Sequence, residues 1–169
     1  MDTAFQHLTH AIGRLPQRER TLRLAMLLTL TRPHELLDPR TGVEQNDLVV
    51  GGRRRVPLGA AAATVLGGTG RVRGLLGIDA AAGQAFRRTG DGLHDAAREA
   101  VAAAAVRAAV DAARTPELRS AVTAYAGLTT GVAALQPVAD LLDQLARGAG
   151  YHVPTTTPQR HLDLVTSVR

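Results

Sequence analysis

Three consecutive arginines follow a glycine pair in the stretch GGRRRVPLG, Gly51 to Gly59. A guanidinium carries a rigid fork of N–H donors and keeps its charge at any physiological pH, so it grips phosphate or carboxylate bidentately. Arg71, Arg73, Arg87 and Arg88 follow downstream. From Leu48 to Gly90, therefore, Arg53, Arg54, Arg55, Arg71, Arg73, Arg87 and Arg88 face a single acid, Asp79. The rest of the chain is close to neutral, because the whole nets only +5. Charge concentrated in this way points to a polyanion, either a nucleic-acid backbone or an acidic protein surface. In a flat strand Arg53 and Arg55 share one side and Arg54 takes the other.

Other residue types have chemistry to offer but lack company. His7 and His10 are three apart and share a helix face, which supplies two metal ligands where three or four are needed. No carboxylate at fixed spacing completes them, and no metal is expected. His94, Asp95 and Glu99 open a long helix, where acids are favoured by the helix dipole. No Ser-His-Asp order or carboxylate pair stands out, so no catalytic residue is assigned.

Two stretches resemble known families. In TVLGGTGRVRGLLG, Thr64 to Gly77, the residues Gly67, Gly68, Thr69 and Gly70 resemble the phosphate-binding turn of dinucleotide-binding short-chain dehydrogenase-like proteins. The resemblance implies a cofactor pyrophosphate at a helix N-terminus. Its third glycine falls on Arg73, whose side chain would hold helix and strand apart, and the alternating strands of such a sheet are missing. The segment is read instead as a glycine-rich connection between helices whose amides could cradle an anion beside Arg71 and Arg73. No cofactor is expected. Residues 87–94, RRTGDGLH, resemble the Arg-then-His signature of HEPN-type ribonucleases, helical bundles that dimerise. That resemblance implies that Arg88 stabilises a scissile phosphate while His94 moves the proton. Gly90-Asp91-Gly92 departs from the pattern.

The elements that must position these groups follow from composition and periodicity. The chain has 169 residues, 45% hydrophobic, with two Phe, two Tyr, no Trp and no Cys. It fits one domain with a core of Leu, Val and Ala, without disulfides or zinc–thiolate sites. All 20 basic residues are Arg. No stretch reaches the roughly 18 apolar residues of a membrane span. The N-terminus lacks a basic region followed by an apolar run, so no signal peptide is read and a cytoplasmic location is expected.

Phe5, Leu8, Ile12 and Leu15 outline an amphipathic helix, and a second follows Pro16. Leu24 to Leu30 is apolar nearly all round, the mark of a buried helix. Arg32-Pro33 ends it, and residues 33–47 read as a loop with one helical turn. Around Gly51-Gly52 two β-prone runs predict a small hairpin over about 48–56, which needs helices to pack on. Residues 57–66 predict a short helix stopped by Gly67. The alanine-rich residues 92–114 predict the longest helix, with Leu93, Ala97, Val101 and Ala104 on one face. Thr115-Pro116-Glu117 restarts a helix as cap, first-turn proline and first-turn acid. A last helix runs from about Val132 to Arg147, with Leu135, Val138, Leu142 and Leu145 inward.

The expectation is thus a mainly α, helical bundle-like domain over 1–150, with a small β-hairpin around 48–56. Residues 33–92 form a loop-rich basic insert, and 151–169 an extended C-terminal tail. Functionally it reads as a non-enzymatic binding module whose arginine-rich middle segment contacts a polyanion. One alternative is a structural subunit of a homo-oligomer or larger assembly, favoured by the small alanine-rich core. A HEPN-like ribonuclease is the other.

Overall fold

The computed structural model describes residues 3–76, 92–128 and 135–151. Within them lie α1 (Thr3–Gly13), α2 (Gln17–Thr29), α3 (Pro33–Leu36), α4 (Ala60–Leu66) and α5 (Val72–Leu75). The longer helices α6 (Gly92–Ala112), α7 (Pro116–Tyr125) and α8 (Gln136–Gly148) follow. Four short strands, β1 (Gly42–Glu44), β2 (Asp47–Val50), β3 (Arg54–Pro57) and β4 (Gly70–Arg71), form one antiparallel sheet in the order β3-β2-β1-β4. The fold is mainly α with a small sheet. The hairpin expected around 48–56 is its β2–β3 pair, and two further strands come from stretches read as loop.

The apolar run of α2 explains the arrangement. A helical stretch apolar on nearly every side, as α2 is from Leu24 onward, must be surrounded, and α2 contacts α1, α4, α6 and α8. Every residue from Ala25 to Thr31 is buried. The helix stops at Thr29, two residues short of Thr31, because Leu30 turns into the left-handed region at φ 50°. Thr29 Oγ1 bonds the Ala25 carbonyl at 2.6 Å and lies 2.7 Å from Thr31 Oγ1, so the polar groups of this buried exit are satisfied.

Along α6 the buried stripe is Arg98, Ala102, Ala105, Ala108 and Ala109. It lies one residue round from the expected face, since Ala97, Val101 and Ala104 are only half-buried. Alanine at the contact lets α1, α2 and α7 approach the α6 backbone closely, and the bulkier valines are left at the margins. At α7 the expected cap is in place: Thr115 Oγ1 accepts from Leu118 N at 3.2 Å with Pro116 next in line. On α8, Val138, Ala139, Leu142 and Ala146 are buried, with Leu135 and Leu145 half-buried at the edges.

Strand alternation decides what the sheet buries. Val56, Leu48 and Val43 stand opposite one another on β3, β2 and β1, and all three join the hydrophobic core. Burying each is worth about 1.5–3 kcal/mol, which holds a hairpin that would be marginal alone. The next row, Arg55, Val49, Gly42 and Arg71, lies on the opposite face. Gly42 is required there, because a Cβ would sit 2.9 Å from the Gly70 carbonyl oxygen of β4. Gln45 opens the two-residue turn between β1 and β2 at φ 56°. That region costs a side-chain-bearing residue about 1 kcal/mol. Gln45→Gly is therefore expected to raise the unfolding free energy by up to about 1 kcal/mol, read as a higher denaturation midpoint at unchanged m-value; a lower midpoint contradicts it.

Candidate functional site

The arginine triplet is split by the hairpin. The turn spans Gly51, Gly52 and Arg53, with both glycines at positive φ (59° and 73°), so β3 begins only at Arg54. Arg54 therefore lies on the inner side with Val50 and Val56, and Arg55 on the outer. Arg54 Nη2 makes a 2.9 Å ion pair with Glu35 Oε1, and its Nη1 donates to the Tyr125 carbonyl. Only 26% of this side chain is exposed. Arg54 thus works as an internal strut between β3, α3 and α7. Arg55 is exposed but bridged to Glu44 Oε2 (2.6 Å) and Asp47 Oδ2 (3.2 Å) on the same face. Both are neutralised locally.

Arg53 is different. It is exposed in the turn, and its side chain meets no carboxylate among the described residues. The residue before it, Gly52, is so placed that a Cβ would sit 3.7 Å from Arg40 Cβ. Arg71 Nη1 donates to the Arg40 carbonyl at 2.8 Å, and Arg73 Nε to the Leu37 carbonyl at 2.6 Å. These bonds go to neutral acceptors, so neither guanidinium is held in an ion pair among the described residues, although Asp38 lies near enough to feel the Arg73 charge. Arg40, Arg53, Arg71 and Arg73 therefore gather at one end of the sheet from three separate stretches of chain. Arg87 and Arg88 lie outside the described residues.

Asp38 is the acid within the cluster. Arg40 reaches it with Nε at 3.2 Å and Nη2 at 3.0 Å, and the Arg40 backbone N–H adds a third bond at 2.8 Å. Those bonds, the side-chain pair first, hold the Asp38 carboxyl down at about 2. It stays ionised through the whole working range of pH, so the cluster's charge is constant there.

Arg40 lies ahead of the basic segment from Leu48 to Gly90, so charge along the chain does not point to it. Its signal is the turn composition of Asp38-Pro39-Arg40-Thr41-Gly42, which puts an arginine on the surface. Its neighbours are set by pairing: Thr41 Oγ1 accepts from Gly51 N at 2.9 Å and tethers this turn to the hairpin tip.

The glycine-rich stretch joins the end of α4 to β4, with Gly67, Gly68 and Gly70 exposed at positive φ. Helix, turn, strand is the reverse of the strand, turn, helix order of a dinucleotide site. His7 and His10 are exposed on α1, and among the described residues no three His, Asp or Glu side chains gather as a metal site would need. The Arg88-to-His94 stretch lies largely outside the described residues. No described helix is long and apolar enough to cross a membrane. Comparison of the chain with protein-family models, curated proteins and solved structures finds no match.

Proposed function

We propose that this chain is a non-enzymatic binding module that presents Arg53, Arg71 and Arg73, gathered around the Arg40–Asp38 pair, to a nucleic-acid backbone. The observation that carries this reading is the convergence of four guanidinium groups on the sheet end around one carboxylate, Asp38. Like charges brought together by folding cost energy that an anionic partner returns, and phosphate matches the guanidinium fork. Among the described aromatics, Phe5 and Tyr125 are buried and Tyr151 is half-buried, so none is offered for base stacking. Contact is therefore with phosphates and indifferent to sequence.

The test is a salt titration of binding to a labelled DNA duplex and to the matching single strand. Affinity should fall steeply with salt, the log–log slope changing by about 0.9 per phosphate neutralised on the duplex. An Arg53→Glu/Arg71→Glu variant should bind about tenfold or more weakly, with the slope reduced by about two. Arg55→Glu, already paired with acids, should change little by comparison. Affinity should also be flat between about pH 5 and 8, since neither arginine nor Asp38 titrates there. Equal binding by the double variant would sink the proposal. So would tighter retention of polyglutamate than of DNA, which favours an acidic protein partner. A discrete oligomer that persists from about 0.1 M to 1 M salt without binding DNA would favour the assembly reading.

A further inference from the structure

We infer that a second site, remote in sequence from the arginine cluster, binds a small apolar monocarboxylate. A cavity of about 250 Å³ opens between the end of α2, the middle of α6 and the end of α7. Its walls are apolar: Leu30, Ala102, Ala103, Val106, Ala126 and Leu128. Two arginines, Arg32 and Arg107, stand on its lining as well, and neither forms an ion pair among the described residues. Glu99, the acid of the lining, is turned toward His34 Nδ1 at 3.7 Å.

The combination selects a ligand class. The cavity is half open, with Arg32, Glu99, Ala103, Arg107 and Leu128 exposed at its rim; its apolar wall favours a hydrocarbon or aromatic body, and a few polar groups fix its orientation. Here those groups are two unneutralised guanidinium forks, which take a carboxylate bidentately. The volume is below the roughly 300–1,000 Å³ of sites for drug-sized ligands, so the body is short. Leu128 at this cavity is half exposed, at 50%, and stands out as the large exposed hydrophobic side chain of the described residues. A bound hydrocarbon would cover it. At the same wall Leu30 holds a left-handed φ of 50°, a conformation uncommon for a branched side chain, and so shapes the cavity where α2 ends.

Hexanoate is the probe, and hexanamide its neutral isostere. Protein amide shifts in NMR report binding to the full chain. Hexanoate should move resonances of α2, α6 and α7 around the cavity saturably at millimolar concentration, with hexanamide at least about tenfold weaker for want of the charged hydrogen bonds. Arg107→Ala should weaken hexanoate about ten- to hundredfold, with Arg107→Lys recovering part of the loss. Ala103 is exposed on α6, so Ala103→Phe should fill the cavity without disturbing the core and abolish the shifts. No saturable shift at about 10 mM, well above millimolar dissociation constants, overturns the inference. Equal affinity for the amide overturns the ligand class, and binding untouched by Ala103→Phe overturns the site. None of these readouts depends on Arg40, Arg53, Arg71 or Arg73.

Discussion

Glu19→Ala should lower the unfolding free energy by about 3 kcal/mol, measured by chemical denaturation at neutral pH. Glu19 on α2 joins two helices. Its Oε2 accepts from Arg98 Nη2 at 3.0 Å and its Oε1 from Arg98 Nε at 3.2 Å, while Arg23 Nε adds a 2.7 Å bond. Only 6% of the Arg98 side chain and 15% of Glu19 are exposed. Removing the carboxylate takes both forked bonds from a buried guanidinium, which costs far more than losing a surface pair. An Arg98→Met/Glu19→Leu double variant should recover most of the loss, since apolar groups of similar shape need no partner. If the single variant costs less than about 1 kcal/mol, the pair behaves as a surface bridge and the argument fails.

The same carboxylate makes stability depend on acid. Burial alone would raise the Glu19 pKa, but the hydrogen bonds and charges of Arg98 and Arg23 outweigh it and hold the group below its usual 4.5. Because the folded value is the lower one, the unfolded chain takes up the proton first as pH falls. The stabilisation is therefore fully present above 4.5 and disappears as pH drops through the folded value. Glu19→Gln should flatten this part of the stability–pH curve.

Tyr125→Ala should be at least as damaging, at about 3–5 kcal/mol. Tyr125 is fully buried, and its hydroxyl donates to the Pro57 carbonyl at 2.6 Å. Its own carbonyl accepts from Arg54, whose guanidinium also pairs with Glu35. One aromatic thus anchors the end of β3 to α7 from both ends. Truncation opens a cavity and strands the Pro57 carbonyl together. Tyr125→Phe separates the two effects and should cost about 1–2 kcal/mol, the share of the hydrogen bond alone. A Phe variant as unstable as the Ala variant would mean that the hydroxyl, not the ring, holds this junction. Burial raises the Tyr125 phenol pKa well above its usual value, so the hydrogen bond survives at any pH at which the protein is handled.

Local rules were enough for much of the scaffold. The burial of the second half of α2 follows from Leu24 to Leu30 being apolar nearly all round, the start of α7 from Thr115-Pro116, and the β2–β3 hairpin from Gly51-Gly52 between β-prone runs. Each depends on residues within a few positions of one another, so composition and spacing determine it. β1 and β4 were missed because three and two residues carry no readable period. β1 is a strand through its pairing with β2, and β4 joins it because Gly42, lacking a Cβ, lets the Gly70 carbonyl come close. The inward face of α6 was placed one residue off because an almost uniform alanine helix has little hydrophobic asymmetry, so its neighbours choose the face.

The arginines divide in the same way. That the middle of the chain is basic is plain in the sequence. Which guanidinium groups keep their charge for a partner is a matter of tertiary structure. Arg54 and Arg55 are adjacent, yet the pleat sends one to Glu35 and the Tyr125 carbonyl and the other to Glu44 and Asp47. Arg40, outside the basic window, is carried to the hairpin tip by sheet pairing and by Thr41. Charge is a property of the residue, and its availability is a property of what the fold sets within a few ångströms of it.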